Sequence, residues 1–549
     1  MAIDHQSSGQ RVEAVSAPRA DRRTWLGLAV LTLPVMLVSM DVSVLYLAVP
    51  AITSALDPSA SEQLWILDIY GFLLAGLLIT MGNVGDRIGR RRILLCGALV
   101  FGVASTIAAF SPSAGVLIAA RALMGLGGAT LLPSSLSLIA NMFIHARDRG
   151  LAIGIWTAVF AGGSAVGPVV GGVLMHHFWW GSVFLINVPV VIVLLLVGPR
   201  LVPEFRARAS AATGDDARAS AATGDDARAS AATGVDARAS AATGDDTGVS
   251  GPFDVLGVVL SMAGILPLMY AIKTMASHGF SVGTLLIGLA GLALLVAFLL
   301  HQKRTPHPLL DLSLFKNPMF SGSVAVALTG MMALGGMSYL TGVYLQSVLG
   351  LDVLAAAIAG LPMACAVAIF SVGAAKVAAA VGTRNAFVGS VVLTAVGMAG
   401  ILTLGVDDGL GMYMLFTTVA GVGFGIQFSL VSEVVVGSVP PERSGAASSI
   451  SETCFELGTA LGLGLLGSLA TLVFRAGGDG TSAGGHEFGD TLGDTLRTAD
   501  GLGTSGDALV AAAKAAFVDG MHTAALATTA LLAVVAVVLA FVMRPAPRS

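Results

Sequence analysis

Residues Gly82 to Arg92 read GNVGDRIGRRR, and this short polar stretch determines how the rest of the chain is arranged. It places five charges between two long apolar runs, 64–81 and 93–110. A run of about 18 or more apolar residues is long enough to cross a lipid bilayer, whereas a charged turn of this length is not. Four of the five charges are arginines, and short loops rich in Lys and Arg stay on the cytoplasmic side of a membrane. The stretch therefore predicts a cytoplasmic turn between two membrane-spanning helices.

The composition indicates the same class of protein. Of the 549 residues, 55% are hydrophobic and 11% are charged, and the mean hydropathy is +0.86. A water-soluble domain does not need so much apolar sequence, so we predict an all-α polytopic membrane protein. The 69 glycines suit helices that pack closely through small side chains. The three cysteines lie inside apolar runs without metal-ligand spacing, so they are predicted to be packing residues; they are Cys96, Cys365 and Cys454.

Fourteen apolar runs of membrane-spanning length follow one another along the chain. They are 25–50, 63–82, 92–111, 115–142, 150–175, 180–198, 254–273, 280–300, 319–345, 352–375, 385–404, 411–437, 444–474 and 521–543. An even number of spans puts both termini on the same side of the membrane. The polar, basic residues 1–24 lack the features of a signal peptide, so no cleavage is expected.

The distribution of basic residues supports this arrangement. If the 82–92 turn is cytoplasmic, the other cytoplasmic segments are the two termini, 143–149, 199–252, 301–318, 376–384 and 438–443. Of the 29 Lys and Arg residues, 24 fall in these segments together with the turn. Arg121 lies inside a span, and the four on the opposite side are Lys273, Arg475, Arg497 and Lys514. This bias predicts a multi-pass protein of the cytoplasmic membrane with both termini in the cytoplasm.

Two inserts interrupt the spans. Between Ala207 and Asp246 the decapeptide ARASAATGDD occurs four times, with one change at Val235. It lacks large apolar side chains, so we predict a disordered cytoplasmic linker, with a regulatory docking site as the alternative. The second insert, 475–520, is Gly-rich and then Ala-rich. Within it, 507–519 has helical spacing of apolar residues, which predicts either a short amphipathic helix against the exit or a plain loop.

Ionisable side chains inside apolar spans cost about 2.5–3.5 kcal/mol each on insertion scales, so they indicate function. Asp41, Asp68 and Arg121 fall in the outer halves of spans 1, 2 and 4, counting about 1.5 Å per residue. One arginine with two carboxylates at similar depth predicts a buried ion pair and a third group free to change protonation. Glu433 lies within a turn of the cytoplasmic end and can snorkel, so it is a weak candidate.

Glu452 and Glu456 form an i, i+4 pair near the middle of span 13. Two carboxylates on one face repel each other when both are charged, so we expect one of them to exchange a proton for a cation. The alternative for all five buried groups is a charge held by a partner helix only to fix packing. Nearby aromatic rings either hold a lipophilic cation through their faces or are ordinary core and lipid-facing residues; they are Trp65, Tyr70, Trp156, Phe160 and Phe455.

The sequence carries no pattern typical of an enzyme. It lacks a P-loop, and His176 and His177 are adjacent at an outer turn without metal-ligand company. We therefore predict a secondary active transporter without metal, cofactor or nucleic-acid partner, with the proton as coupling ion. A membrane sensor would need a folded soluble output domain, which the pattern does not offer. Inside span 5, residues 162–172 combine a proline with several glycines, which predicts a loosened helix and close approach of a neighbour.

Four motifs resemble the 14-helix drug:proton antiporters of the major facilitator superfamily. The 82–92 turn resembles the loop 2–3 signature, with Gly82, Asp86, Arg87, Gly89, Arg90 and Arg91 at the matching positions. Arg121-A-L-M-Gly125-L-Gly127 is similar to the span 4 motif, whose arginine is tied to proton coupling. The span 5 antiporter motif is matched by Gly163-S-A-V-Gly167-Pro168-V-V-Gly171-Gly172. Met40-Asp41-V-S-V-L-Y-L-A-V-Pro50 resembles the span 1 motif, with Leu45, Tyr46 and Leu47 replacing its more usual residues.

Two further motifs are similar to exporters of quaternary ammonium compounds, methyl viologen and related dyes. These are Trp65-I-L-Asp68-I-Tyr70 and Glu452-T-C-F-Glu456-Leu457-Gly458. In that subgroup, membrane-embedded acidic residues at matching spans serve cation recognition and protonation. Exporters of dicationic compounds have a further aspartate in span 10, whereas this span has only Asp352 at its outer edge. The subgroup also has a long loop between spans 13 and 14, as here at 475–520.

The resemblance implies two six-helix bundles that rock about a central cavity, with two additional helices between them. The predicted segments are a tail at 1–24, a bundle at 25–198, a linker at 199–252, two added helices at 253–300, a loop at 301–318, a bundle at 319–543 and a tail at 544–549. The 82–92 turn is then a cytoplasmic latch, in which Asp86 meets a helix N-terminus and arginines pair with acids such as Asp148.

Together these patterns predict a monomeric, proton-coupled exporter of lipophilic, mainly cationic drugs that works by alternating access. The predicted coupling residues are Asp41, Asp68, Arg121, Glu452 and Glu456. Two alternatives remain within transport: a dedicated exporter of one natural product or antibiotic, and a proton-linked importer.

Overall fold

The computed structural model describes residues 19–205, 254–278, 281–306, 308–407, 409–440, 444–478, 489, 491–499 and 504–543. In this part of the chain, fourteen long helices follow one another. They are α1 (Arg22–Leu56), α2 (Ala60–Ile88), α3 (Arg90–Ala109), α4 (Ala114–Met142), α5 (Ala146–His177), α6 (Ser182–Leu201), α7 (Val255–His278), α8 (Val282–Arg304), α9 (Pro318–Val348), α10 (Val353–Val381), α11 (Thr383–Thr403), α12 (Leu410–Gly437), α13 (Ser444–Gly477) and α14 (Thr504–Val542). The decapeptide repeat and the tail at 544–549 lie outside the described residues.

The all-α membrane architecture that the sequence predicted is confirmed. Thirteen helices in the described chain are long and apolar enough to cross a membrane. Helix α5, which contains the fifth predicted span, is 32 residues long and is not among the thirteen. Three helices carry local irregularities: α6 is broken after Leu185, and α9 and α13 contain π-helical turns at Tyr344–Val348 and Gly462–Leu466. Such turns bulge a helix and are common near functional sites.

Polar residues at the helix ends explain where several helices begin. The Ser59 hydroxyl and the Glu62 carboxylate form a reciprocal capping box at the start of α2. Asp352, the acid at the outer edge of the tenth span, accepts a hydrogen bond from the Ala355 amide at 2.7 Å and caps α10. Gly89 and Gly382 end α2 and α10 at φ +115° and +85°, which is backbone that favours glycine. The same turn therefore occurs between the second and third helices of each half.

The apolar side chains form two main cores, one within α1–α6 and one within α9–α14. The halves meet along two helix pairs, α5 with α10 and α2 with α13. Helices α7 and α8 pack on each other, and α7 also contacts α2 and α13. Phe72, Ile265 and Ala460 form a small buried cluster where these three helices meet. The inserted helices therefore cover one seam between the two halves.

Helix α14 is 39 residues long, much longer than the roughly 20 residues needed to cross a bilayer. Its first turns include 507–519, so this stretch is helical and continuous with the last span, and it is neither a separate short helix nor a plain loop. Leu509 and Phe517 are buried in it. The Lys514 ammonium donates a hydrogen bond to the Val348 carbonyl at 2.8 Å, which ties the extension to the end of α9. A short helix, Leu492–Ala499, packs beside it.

Candidate functional site

A cavity of about 830 Å³ lies between the two halves. We call the end of the bundle at which residues 82–92 lie the motif end. The cavity extends toward the opposite end, since Gln346 near the end of α9 and Tyr413 near the start of α12 line it. Its walls are mostly apolar, and Glu452 is the one carboxylate among the described lining residues. Such a site suits a drug-sized, lipophilic molecule held by few polar contacts.

Aromatic rings from both halves line the cavity. Trp156 and Phe160 of α5 stack with their centroids 6.0 Å apart and 6° between their planes. The Trp156 indole donates a hydrogen bond to the Ser135 hydroxyl at 3.0 Å, which fixes the ring. Across the cavity, Phe428 and Phe455 meet edge to face with centroids 5.4 Å apart. Ring faces attract cations electrostatically, so these walls suit a cation with a flat apolar body.

Glu452 lies on the cavity-lining face of α13 together with Phe455 and Thr459. The residue is only 1% exposed, and its Oε1 atom has no hydrogen-bond partner in the described chain. A buried carboxylate without a partner costs free energy unless it takes up a proton or a counter-ion. The geometry therefore leaves Glu452 open to bind either a proton or a cationic ligand.

Arg121 and Asp41 form a buried ion pair in the N-terminal half. The Arg121 guanidinium also donates from Nε to the Ile66 carbonyl at 3.3 Å, and it lies 4.5 Å from the centre of the Tyr70 ring. Helices α1, α2 and α4 thus share one buried cation. The sequence predicted an ion pair among Asp41, Asp68 and Arg121, and the structure assigns Asp41 as the partner.

Asp68 and Glu456 are half-buried and are not among the described cavity-lining residues. The Glu456 carboxylate interacts electrostatically with Glu452 and with the Tyr70 phenol, which also interacts with Asp41 and Arg121. The Glu456 carboxylate therefore interacts with groups of both halves.

Of the five predicted aromatic residues, three line the cavity and two lie elsewhere. Trp156, Phe160 and Phe455 line the cavity. Tyr70 is buried against Arg121. Trp65 is 39% exposed and stacks on Tyr270 of α7 with centroids 6.3 Å apart, so it lies on the outer surface of the seam covered by α7.

The glycines of α5 let it approach α1 closely, as the sequence predicted. A Cβ added to Gly163 would lie 3.1 Å from the Met36 carbonyl oxygen, and one on Gly171 would lie 3.0 Å from a Val44 methyl group. Gly167, between them, faces Met40. Gly172 has open space beside it. The description of Pro168 covers its backbone only, as part of the helix Ala146–His177.

At the motif end, Asp86 links the two halves. Its carboxylate accepts a hydrogen bond from the Ala446 amide at 3.1 Å, in the first turn of α13, and pairs with Arg90 at 2.7 Å. Exposed N–H groups at a helix N-terminus attract a carboxylate, so the predicted contact of Asp86 with a helix start is confirmed. A Cβ on Gly82 would lie 2.7 Å from the Gly445 carbonyl oxygen, which explains why glycine stands there.

The neighbouring arginines contact a different acid from the one predicted. Arg91 and Arg92 approach the Glu204 carboxylate at 3.6 and 3.9 Å. Asp148 accepts a hydrogen bond from the Ala20 amide at 3.0 Å. Arg87 is half-buried at the end of α2. The basic turn thus also fixes the end of α6, through Glu204.

Several cavity residues carry no signal in the sequence. Met331, Met363, Tyr413 and Phe428 line the cavity, yet each stands in an apolar run like its lipid-facing neighbours. Thr417, Ser432 and Gln346 also line it, and small polar residues occur throughout these helices. A carboxylate in an apolar run stands out in a sequence, whereas a methionine or an aromatic residue does not.

The sequence profile of the Major Facilitator Superfamily matches residues 31–463. The chain is similar to the multidrug efflux pump LfrA of Mycolicibacterium smegmatis, with 38% identity over 95% of this chain and 97% of that protein. It is also similar to the methyl viologen resistance protein SmvA of Salmonella typhimurium, with 31% identity over 96% and 99% of the two chains. The tetracenomycin C resistance and export protein of Streptomyces glaucescens is 29% identical over 81% of this chain and 76% of that protein.

A solved structure with a similar fold is the human organic anion transporter MFSD10. The two chains superpose with a TM-score of 0.57 over 93% of this chain and 99% of that one. Their sequence identity is 13%, so this similarity concerns the fold alone.

Proposed function

The chain belongs to the major facilitator superfamily and is a multi-pass membrane transporter. We propose that it is a proton-coupled multidrug antiporter that exports lipophilic, mainly cationic compounds. The names of LfrA and SmvA support efflux as the direction of transport and methyl viologen, a cation, as the type of substrate. In this proposal the motif end faces the cytoplasm, in accord with the bias of Lys and Arg toward that side.

One observation carries the proposal: the apolar cavity of about 830 Å³ contains a buried carboxylate, Glu452, whose Oε1 has no partner in the described chain. A cation with aromatic or aliphatic groups would satisfy both features of such a site, because its charge pairs with the carboxylate and its body packs on Trp156, Phe160 and Phe455. A proton satisfies the same carboxylate. The two ligands therefore compete for one group, which is the physical requirement for antiport.

The transport cycle follows from this competition. With the motif end closed and the cavity open to the outside, a proton from the medium binds the Glu452 carboxylate and removes the counter-charge of the bound cation. The cation leaves outward, because a neutral apolar cavity holds it less tightly. The two halves then rock, the proton is released to the cytoplasm, and a new cation binds the restored carboxylate.

The N-terminal ion pair has a different role in this proposal. Arg121 holds Asp41, so Asp41 is a poor ligand for a free cation. Glu456 interacts electrostatically with Tyr70 and Glu452, and it thereby couples the charge state of the cavity to the Arg121 cluster. Asp68, at a similar depth on α2, is proposed to assist cation recognition outside the described cavity lining.

The direct test is efflux of ethidium, a lipophilic cation, from everted vesicles with an imposed proton gradient. We expect gradient-dependent transport by the wild type and a loss of about 100-fold or more in Glu452→Gln, because the neutral amide neither pairs with the cation nor releases a proton. Glu62→Gln is the matched control, since it makes the same change in a capping box outside the cavity, and it should transport normally.

A dedicated exporter of one natural product is the second candidate, and the similarity to the tetracenomycin C exporter favours it. The two candidates differ in the range of compounds to which the protein confers resistance. If the wild type moves a single neutral antibiotic and no cation, the role of Glu452 in cation recognition is wrong, although membership of the family stands.

A further inference from the structure

The side of α13 that carries Glu452 changes from apolar to polar toward the motif end. Ser444, Ser448 and Ser451 lie on the same helical face as Glu452 and Phe455, as their spacing of about 3.6 residues per turn requires. All three serines are buried. The face is therefore apolar and aromatic where it lines the cavity, and it is covered with hydroxyl groups between Glu452 and the closed end.

A matching polar face on α4 lies opposite. Ser134, Ser137 and Asn141 are spaced i, i+3 and i+7, which places them on one side of α4. The hydroxyls of Ser137 and Ser444 are 2.7 Å apart, and the Asn141 amide donates to the Ser444 hydroxyl at 3.0 Å. These contacts join the two halves. We call the six residues the polar seam; they are Ser134, Ser137, Asn141, Ser444, Ser448 and Ser451.

The hydroxyl groups of Ser448 and Ser451 donate within their own helix and keep the capacity to accept hydrogen bonds. In the polar seam, the Ser448 and Ser451 hydroxyls donate to the carbonyls of Ser444 and Ser448 at 2.7 and 2.8 Å. Their oxygen lone pairs can still accept hydrogen bonds, so the surface is ready to be wetted when the helices separate.

A second, independent observation connects the polar seam to a ligand. The unpartnered Oε1 of Glu452 lies at the cavity end of the seam, one turn of α13 beyond Ser448. The Asp86–Ala446 contact closes the other end. A carboxylic acid that must lose its proton toward the motif end needs water or hydroxyl groups along this route, because an apolar wall cannot solvate the proton.

We infer that the polar seam is the closed half of the transport path, and that it carries the Glu452 proton to the motif end when the halves part there. This inference rests on the proposed function. In the step itself, the O–H bond of the Glu452 carboxyl breaks, its electron pair stays on the carboxylate, and the proton passes to water between the serines. Ser448, one turn from Glu452, is the positioning residue for this water.

The first test compares Ser448→Val with Ser448→Thr in the full-length protein. Valine and threonine have nearly the same shape, so they differ in the hydroxyl alone. We expect Ser448→Val to slow proton-driven ethidium export by about tenfold while the Kd for ethidium stays within about twofold, and Ser448→Thr to restore the rate. Equal rates in the two variants would overturn the inference, because the effect would then be one of side-chain volume.

The second test does not depend on a transported drug, so it separates failure of this inference from failure of the proposed function. In a variant with Cys96, Cys365 and Cys454 replaced by serine, a single cysteine is introduced by the substitution Ser448→Cys. The control carries Ser261→Cys instead, at a buried serine of α7 that donates to its own helix at 2.9 Å. A membrane-impermeant thiosulfonate is then applied to each face of the vesicles.

We expect the reagent to modify the Ser448→Cys variant about tenfold faster than the Ser261→Cys control, and only when it is applied at the face that carries residues 82–92. This result would support an opening of the polar seam even if the protein moved no cation. Equal rates in the two variants, or modification of the Ser448→Cys variant only from the opposite face, would contradict the inference while export and the role of Glu452 stood.

Discussion

Asp41 in the N-terminal half and Glu452 in the C-terminal half are both buried carboxylates in membrane-spanning helices, but they have opposite surroundings. Asp41 is paired with Arg121, whose guanidinium also contacts the Ile66 carbonyl and the Tyr70 ring. Glu452 borders the cavity, and one of its oxygens has no partner in the described part of the chain. One acid is held by the fold, whereas the other is left for a ligand.

In the proposed function, this difference separates a charge that stabilises the fold from a charge that binds the transported ligand. The Asp41 carboxylate is paired within the fold, so removal of its partner would leave a buried charge without a counter-ion. In the proposed function, the unpartnered oxygen of Glu452 lets this carboxylate bind either a proton or a cation. The two halves can therefore carry similar acids and give them different tasks, and each of the variants below tests that division.

The largest expected effect is on the paired acid. Arg121→Leu leaves Asp41 buried without its cation, and we expect a loss of about 3–5 kcal/mol in the free energy of unfolding, because breaking one side of a buried ion pair strands the other charge. Thermal unfolding in detergent, followed by size-exclusion chromatography, measures it. Replacing Asp41 by Leu in the same chain should recover most of the loss.

The matched control is Arg22→Leu, which removes an exposed arginine at the start of α1 and should leave the unfolding temperature unchanged. If Arg121→Leu is as stable as this control, the Asp41–Arg121 pair does not stabilise the fold, and the contrast with Glu452 disappears.

The second prediction concerns the unpartnered acid, for which we expect a loss of export without a loss of stability. Glu452→Gln should keep the free energy of unfolding within about 1 kcal/mol of the wild type, because it removes a carboxylate that has no full set of partners to lose. Export of ethidium should nevertheless be lost. Asp41→Asn should show the opposite pattern, with a large loss of stability. A Glu452→Gln protein that unfolds as readily as Asp41→Asn would show that Glu452 is also a structural group.

A smaller effect distinguishes the two halves at their equivalent turns. Gly89 and Gly382 both have positive φ, so each replacement by alanine should cost about 1–3 kcal/mol through backbone strain. Only Gly89→Ala disturbs the link from Asp86 to the start of α13, so only this variant should also reduce export. Measurement of unfolding temperature and ethidium efflux in both variants separates strain from loss of the contact. Equal loss of export would mean that the turn, and not the Asp86 contact, matters.

The fold could be predicted because its determinants are local in the sequence. The apolar runs have membrane-spanning length, and the four arginines within 87–92 make the turn between two of these runs strongly basic. Glu452 was found for the same reason, since one charge in a run of apolar residues is visible without any structure. The contact of Asp86 with a helix start was also foreseen, although the resemblance to a family supplied it.

The partners of these groups could not be predicted from spacing. Counting residues gives the depth of Asp41, Asp68 and Arg121 in the membrane, but it does not give the direction in which each helix turns its side chains. Only the structure shows that Arg121 pairs with Asp41, and that Trp65 stacks on Tyr270 of α7 and does not line the cavity. The pairing of arginines with Asp148 was expected for the same reason, whereas Glu204 lies beside Arg91.

A further buried carboxylate, Asp254, lies at the membrane boundary just before α7 and, like Asp41, is paired within the fold. It accepts hydrogen bonds at 2.8 Å from the Gly257 amide, the His301 ring and the Gln302 side chain. The Gln302 side chain in turn accepts from the Leu310 amide at 3.1 Å, and the Leu309 carbonyl accepts from Asn83 of α2 at 2.8 Å. Asp254 thus anchors the inserted helices to the loop that leads into the second half.

The smallest predicted effect is the pH dependence that Asp254 gives to stability. Burial acts to raise the pKa of Asp254, but the hydrogen bonds from His301, Gly257 and Gln302 outweigh it and lower the pKa below its ordinary value. Its stabilising contribution is therefore complete above the pKa of the unfolded chain, about 3.9, and is lost as the pH falls through the lower, folded value.

Asp254→Asn should accordingly lower the unfolding temperature at neutral pH, and the difference from the wild type should narrow in acid. An exposed control, Asp519→Asn, should leave that temperature unchanged at either pH. If the difference in unfolding temperature between the wild type and Asp254→Asn widens in acid, Asp254 is not held as an anion. Its hydrogen bonds would then not stabilise the charged form in the way that Arg121 is expected to stabilise Asp41.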